Sequence, residues 1–292
     1  METMVDEIRN RSIDRNTIGE RYFHIDHHIH LKQAFILGIV GAILGIAIWW
    51  ALSILLNTSY LPTPYTVAVT LYNLFRGHDT ISGLTMGQLI FFTLSHYFPA
   101  FILAFLLALP VGLFIGINPI ASNISRPFLE VFRPIAPIAF GPLFLVILGQ
   151  AEGVFMIVFL GVFIPLITQI QFGVQHIDPL VLDTGQTLGA HRWTLFRKVI
   201  MPSIAPNILA GLKVAIGIGW ICIIEGELIL GTPGIGAFVL WSSQLGLYPQ
   251  MFAGIVLIAV IGIFTFLAGW TVERLITRRL GMVFESAPVT HC

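Results

Sequence analysis

Residues 175–203 read QHIDPLVLDTGQTLGAHRWTLFRKVIMPS. This polar, turn-rich connection separates two long apolar runs. Asp178-Pro179 reads as a turn and a helix start. Leu180 to Leu188 predicts a short helix, Gly189 a bend, and His191 to Ile200 a second helix that Pro202 ends. Apolar Leu188, Leu195, Phe196, Val199 and Ile200 are interleaved with Arg192, Arg197 and Lys198. A surface helix of that composition lies against a membrane or docks into a groove on a partner.

On either side of it, apolar runs occupy about 34–56, 89–117, 128–149, 153–174, 204–230 and 251–273. A helix crosses a bilayer in about 20 apolar residues, so the runs predict six transmembrane helices in an all-α membrane protein. Composition agrees. Of 292 residues, 56% are hydrophobic and 10% charged, against about 25% charged in a soluble domain. Mean hydropathy is +0.89. These values exclude a disordered chain, an ordinary soluble enzyme and a nucleic-acid binder working through bulk positive charge. Cys222 and Cys292 lie far apart and imply neither a disulfide framework nor a thiol metal site.

The basic residues set the orientation. With the N-terminus inside, Arg9, Arg11, Arg15, Arg21, Lys32, Arg126, Arg133, Arg192, Arg197, Lys198, Arg274, Arg278 and Arg279 are cytoplasmic, and Arg76 alone is outside. Both termini are therefore expected in the cytoplasm. Residues 1–33 are polar, of mixed charge, and lack the layout of a secretory signal. They read as a retained cytoplasmic tail with an interfacial helix. Residues 34–280 form the membrane domain, with the loop at about 175–203 inside it, and residues 281–292 a short tail.

Some runs are not plain helices. Pro134, Pro137 and Pro142 predict a kink or partial unwinding in the third span, tolerated at membrane depth only where it is buried or lines an aqueous path. Gly231-Thr232-Pro233-Gly234-Ile235-Gly236 breaks the chain after the fifth span, and Ala237 to Leu247 then reads as a re-entrant element. The spacings Gly41/Gly45 and Gly112/Gly116 suit close helix packing.

Polar residues in or near the spans carry two readings each. An isolated charge at the centre of a span costs roughly 2.5–3.5 kcal/mol on insertion scales. Lys213 and Glu227 are roughly 21 Å apart along one straight helix and do not pair within it. Lys213 either snorkels to the inner interface or offers a cation to a cavity or partner. Glu227, with Glu225 nearby, suits a structural or gating role. Before the first span, His24, His27, His28 and His30 surround Asp26. Their spacing suits a transition metal, or a polar interfacial helix that responds to pH. The first of these would make the chain a membrane-bound, metal-dependent enzyme using these histidines.

The connection at 175–203 also resembles the cytoplasmic loop of the permease subunits of ATP-binding-cassette importers. That family's loop carries E-A-A, three residues, G, nine residues, then I-x-L-P. Asp183 stands at the Glu, Thr184 and Gly185 at the alanines, and Gly189 at the glycine. Val199, Met201 and Pro202 stand within I-x-L-P, and every spacing fits. The departures are Asp for Glu, Thr-Gly for Ala-Ala, and Val and Met for Ile and Leu. Leu188-Gly189-Ala190-His191-Arg192-Trp193, followed by Phe196-Arg197-Lys198-Val199, is similar to the nitrate/sulfonate/taurine/bicarbonate branch. So are Arg133-Pro134-Ile135-Ala136-Pro137, Pro142-Leu143, Glu227-Leu228-Ile229 and Pro233-Gly234-Ile235-Gly236. The similarity covers about residues 65–280.

That resemblance implies a type I importer fold and a coupling helix seated on a cytoplasmic ATPase, with Trp193 or Phe196 as anchor. It implies a second permease copy in a homodimer, two ATP-binding subunits and an extracytoplasmic solute-binding protein, in the inner membrane. The glycine-rich phosphate loop, the nucleophile elbow and the zinc-protease motif are all missing from the sequence. The chain is accordingly expected to be no enzyme and to bind no cofactor itself, with ATP and Mg on the partner ATPase. The implied cargo is a small anion, and no nucleic-acid partner is expected.

Overall fold

A computed structural model describes residues 31–77 and 81–279. His24, His27, His28 and His30, with both tail assignments, lie outside the described residues. The chain divides into two compact units, Met1–Thr58 and Ser59–Cys292.

The first unit contributes α1, Leu31–Leu56. Its sequence is predominantly apolar, long enough to cross a bilayer. Gly41 and Gly45 have open space where a side chain would stand.

The second unit is entirely helical among the described residues. It begins with α2, Pro64–Arg76, which the sequence reading misses. Thr63 caps it by accepting from the Thr66 amide, and Pro64 opens its first turn. Val67 and Leu74 are its buried face. The long helix α3, Met86–Ile117, starts at a capping box in which Thr85 and Gln88 exchange side-chain and backbone hydrogen bonds. Next come α4, Pro119–Phe132, a 3-10 turn at Pro137–Phe140, α5, Gly141–Leu148, and α6, Gln150–Gln175.

Helix α6 is the centre of the unit and packs chiefly on α3 and on α9, Met201–Leu230. Ile157, Val158, Val162, Leu166 and Ile170 on α6 have no exposed surface. Small residues let the backbones approach: Ala100, Ala104, Ala108 and Gly112 recur every four residues on α3, all buried. A Cβ on Gly112 would stand 2.9 Å from Ile170, and one on Gly219 of α9 would stand 2.7 Å from Val162. Without a hydrophobic driving force between helices in lipid, such close contact is what holds them together.

Two expectations need correction. The third span is broken, as its prolines predict, but it does not start at residue 128. Its first helix begins earlier, at Pro119, and the pair Pro119–Phe132 and Pro137–Leu148 is bent by 85°. The cause is the run Pro134-Ile135-Ala136-Pro137, which removes amide donors and holds Ala136, before Pro137, in the extended region at ψ 130°. There are five long apolar helices among the described residues, and six candidate spans if the bent pair counts as one.

Nor does Pro202 end the loop's second helix. A helical turn at Arg192–Leu195, α8, passes through a π-turn at Phe196–Ile200 directly into α9. Pro202 sits in the first turn of α9. The wider π-turn takes up the register around a residue that has no amide to donate.

Beyond α9, α10 (Ile235–Gln244) is short, and α11 (Tyr248–Arg279) follows almost at once. Ile235, Ala237, Phe238 and Ser242 of α10 are buried, with α11, α9 and α3 packed around it.

Candidate functional site: the loop, the buried acid and two cavities

The loop between α6 and α9 folds as helix, glycine, helix. Asp178 caps α7, Pro179–Thr187, by accepting the Leu180 amide at 2.8 Å. Gly189 ends it at φ +76°, the left-handed region that glycine enters without a Cβ penalty. The Leu188 amide donates to the Thr184 carbonyl and the Ala190 amide to the Gly185 carbonyl, a Schellman-type closure. Gly185 has a steric role of its own. A Cβ there would stand 2.7 Å from Leu195 Cδ1, so its missing side chain lets the two arms of the loop fold together.

The loop's side chains divide into two groups. Phe196, Ile200 and Met201 pack against the main core, and Val199 is half-buried. Leu180, Leu188 and Trp193 are exposed, at 70%, 82% and 67%. The Trp193 ring stacks on Phe196 with centroids 5.7 Å apart. Phe196 is thus a support and Trp193 the outward-facing ring. Asp183 and Thr184 are exposed on α7.

At the other end of α9, Glu227 has no exposed surface. Its Oε2 accepts the Gly236 amide at 2.7 Å, and its backbone carbonyl accepts the Gly231 amide at 3.0 Å. From α3, Thr93 Oγ1 accepts the Ile235 amide at 3.0 Å. Two side chains from two helices thereby fix the 231–236 turn and the start of α10. Glu225 lies half-buried one turn-fraction away.

Lys213 is ion-paired. Its Nζ stands 2.8 Å from Glu273 Oε1 on α11. The partner lies sixty residues on, in another helix, beyond the reach of any argument within the fifth span.

Two cavities flank the bend of the third span. One, of about 430 Å³, lies between α4 and α6 and is polar, with Ser122, Arg126, Gln171 and Gln175 in its wall. The other, of about 300 Å³, is more apolar and is lined by Ile135, Pro137, Ile164 and Val214 among others. Arg133 and Thr168 line both. Pro142 is in the first turn of α5.

An all-helical assembly of long apolar helices, carrying an exposed helix–glycine–helix loop, defines a polytopic membrane protein. Residues 108–280 match the family of binding-protein-dependent transport system inner membrane components, and the chain belongs to that family. It is 29% identical to the taurine transport system permease protein TauC of Escherichia coli (strain K12), over 80% of this chain and 85% of that one. It is 31% identical to a putative aliphatic sulfonates transport permease protein, SsuC, of Bacillus subtilis (strain 168), over 74% and 78%. The nitrate import permease protein NrtB of Synechocystis is 26% identical, over 70% and 76%. The chain is therefore a multi-pass inner-membrane subunit of a transport system. The family consists of transport subunits rather than enzymes, which sets aside the metal-dependent enzyme alternative.

Proposed function

We propose that this chain is the permease subunit of an importer for a small anion: nitrate, bicarbonate, taurine or another sulfonate. Two copies form the translocation path. Two cytoplasmic subunits bind ATP and Mg and supply the energy, and an extracytoplasmic solute-binding protein delivers the cargo. Both termini and the 175–203 loop face the cytoplasm, which the thirteen-to-one bias of basic residues supports.

The observation that carries this reading is the outward display of Leu188 and Trp193 around Gly189. Apolar side chains on a short, fixed loop are suited to a groove on a partner, and Phe196 beneath Trp193 makes the display rigid. Asp183, Thr184, Gly185, Ala190, Arg192, Val199, Met201 and Pro202 complete the ATPase-coupling loop as its frame. The substrate class follows the relatives, whose names specify taurine, sulfonates and nitrate.

The test is gentle purification of the tagged chain from its native membrane, with mass spectrometry of what co-elutes. A co-purifying P-loop ATPase and solute-binding protein are expected. The reconstituted complex should then take up one of the named anions in an ATP-dependent manner. Clean recovery of the chain with no ATPase, alongside an intact control transporter, would overturn the proposal.

A further inference from the structure

The polar cavity between α4 and α6 is rich in hydrogen-bond donors. Gln171 Nε2 donates to Ser122 Oγ at 3.2 Å and Gln175 Nε2 donates to the same oxygen at 2.7 Å. Ser122 and Gln171 are each 9% exposed. An oxygen that accepts two hydrogen bonds sends its own proton elsewhere, and each amide keeps a second N–H. Three donors are thus left over at one spot. The charge balance points the same way. Arg126 is paired with Glu130 at 3.0 Å, whereas Arg133 has no ion-pair partner among the described residues. The lining therefore carries one uncompensated positive charge.

Position matters as much as charge. Arg133 is the last residue before the proline-bent break and, with Thr168, lines the second, more apolar cavity as well. The Thr168 hydroxyl donates to the Ile164 carbonyl at 2.8 Å, so Arg133 is the group in the shared wall that offers donors. A guanidinium is a fixed charge with a planar set of donors that fits an oxyanion.

We infer that the Ser122–Gln171–Gln175 cavity is an oxyanion site whose charge comes from Arg133, and that it is a holding station on the solute path. Its occupant is a monovalent oxyanion with its oxygens on Arg133 and the amides. An apolar tail, where the anion has one, extends past Thr168 toward Ile164 and Val214. The identity of the occupant rests on the anion-import reading above; the existence of the site does not.

The test uses the full complex in nanodiscs of neutral lipid, with Thr168→Cys as a reporter that both cavities touch. Cys292→Ser removes a background thiol, and Cys222 is buried. Its labelling is compared for an anionic, sulfonate-bearing methanethiosulfonate and a cationic, trimethylammonium-bearing one, each relative to free cysteine. The anionic reagent should be favoured, and Arg133→Gln should lower that preference about tenfold, the size expected of one charge a few ångströms away. Gln171→Glu should lower it similarly, which keeps the test open if Arg133→Gln fails to assemble. Nitrate, bicarbonate or methanesulfonate should slow the labelling.

An unreactive cysteine, an unchanged reagent preference in both variants, or no protection by any of the three anions would overturn the assignment. Protection that appears only with phosphatidylglycerol in the disc would assign the cavity to a lipid headgroup and overturn it equally. Uptake by the parent complex reports separately on import. Selective labelling with anion protection, but without uptake of any anion, would keep the site and discard the transport reading.

Discussion

The Glu227 carboxylate accepts the backbone amide of Gly236 at 2.7 Å, and the two residues lie so close that neither has room for more. A Cβ on Gly236 would stand 2.7 Å from the Ile224 carbonyl oxygen and 2.9 Å from Glu227 Cβ. A Cβ on Gly234 would collide with the Glu227 carboxyl itself. The sequence motif Pro233-Gly234-Ile235-Gly236 is therefore explained by space: its glycines make the seat for a buried acid.

Gly236→Ala should consequently destabilise the folded subunit by about 1–3 kcal/mol, the cost of overpacking a close backbone approach. Glu227→Gln keeps an oxygen acceptor for the Gly236 amide and should assemble nearly as well as the parent. Glu227→Leu leaves that amide unpaired and should not. Thermal melting of the purified complex, with its yield, distinguishes the three. Equal stability of the Gln and Leu variants would show that the hydrogen bond contributes nothing.

Lys213 and Glu273 join α9 to α11 at 2.8 Å, with side chains 43% and 14% exposed. Removing one partner from a fully buried pair costs about 3–5 kcal/mol. With Lys213 partly exposed, Lys213→Met should cost about 1–2 kcal/mol. Lys213→Met combined with Glu273→Met should recover most of the loss. Anion uptake by the double variant is expected to persist, since joining the two helices accounts for both charges. Loss of uptake in a double variant of normal stability would return Lys213 to the path.

The sequence showed most of the architecture because its signals are local. Long apolar runs mark α1, α3, α6, α9 and α11 by length alone. Asp178-Pro179 and Gly189 mark the limits of α7 through cap and turn chemistry. What escaped it was non-local or amphipathic. Helix α2 carries Asn73 and Arg76 on a half-polar surface, so no hydropathy window reveals it; Thr63-Pro64 is the signal that would have. The Lys213–Glu273 pair depends on how α9 crosses α11. The cavity at Arg133 depends on an 85° bend that prolines announce without giving its direction. Trp193 and Phe196 look equivalent in sequence, and only packing separates the outward-facing ring from its support.

Gly189 adopts φ +76° and has open space around its Cα. Gly189→Ala therefore meets only the left-handed penalty of about 1 kcal/mol and should leave uptake reduced but measurable. Gly189→Pro cannot adopt this φ, and Gly189→Trp adds a bulky side chain to the outward-facing turn. Both should abolish solute-dependent ATP hydrolysis and uptake while membrane insertion, followed by immunoblotting of washed membranes, stays normal. Normal uptake by the proline variant would remove the loop from the coupling mechanism.

Trp193 separates partner binding from folding, because it is 67% exposed and its ring rests on Phe196 without entering the core. Trp193→Ala should change the stability of the isolated subunit, read by thermal melting, by no more than about 0.5 kcal/mol, the range typical of surface substitutions. The same variant should lose most of its co-purifying ATPase, since a large aromatic seated in a groove is a typical binding hot spot, worth 2 kcal/mol or more on truncation, about a thirtyfold weaker complex. Phe196→Ala should do the reverse first: it opens the packing beneath the loop and lowers stability by about 3 kcal/mol, with partner loss following from a disordered display. Measuring both properties for both variants gives a crossed pattern. If Trp193→Ala retains its ATPase in full, the loop's outward apolar face is not what the partner grips.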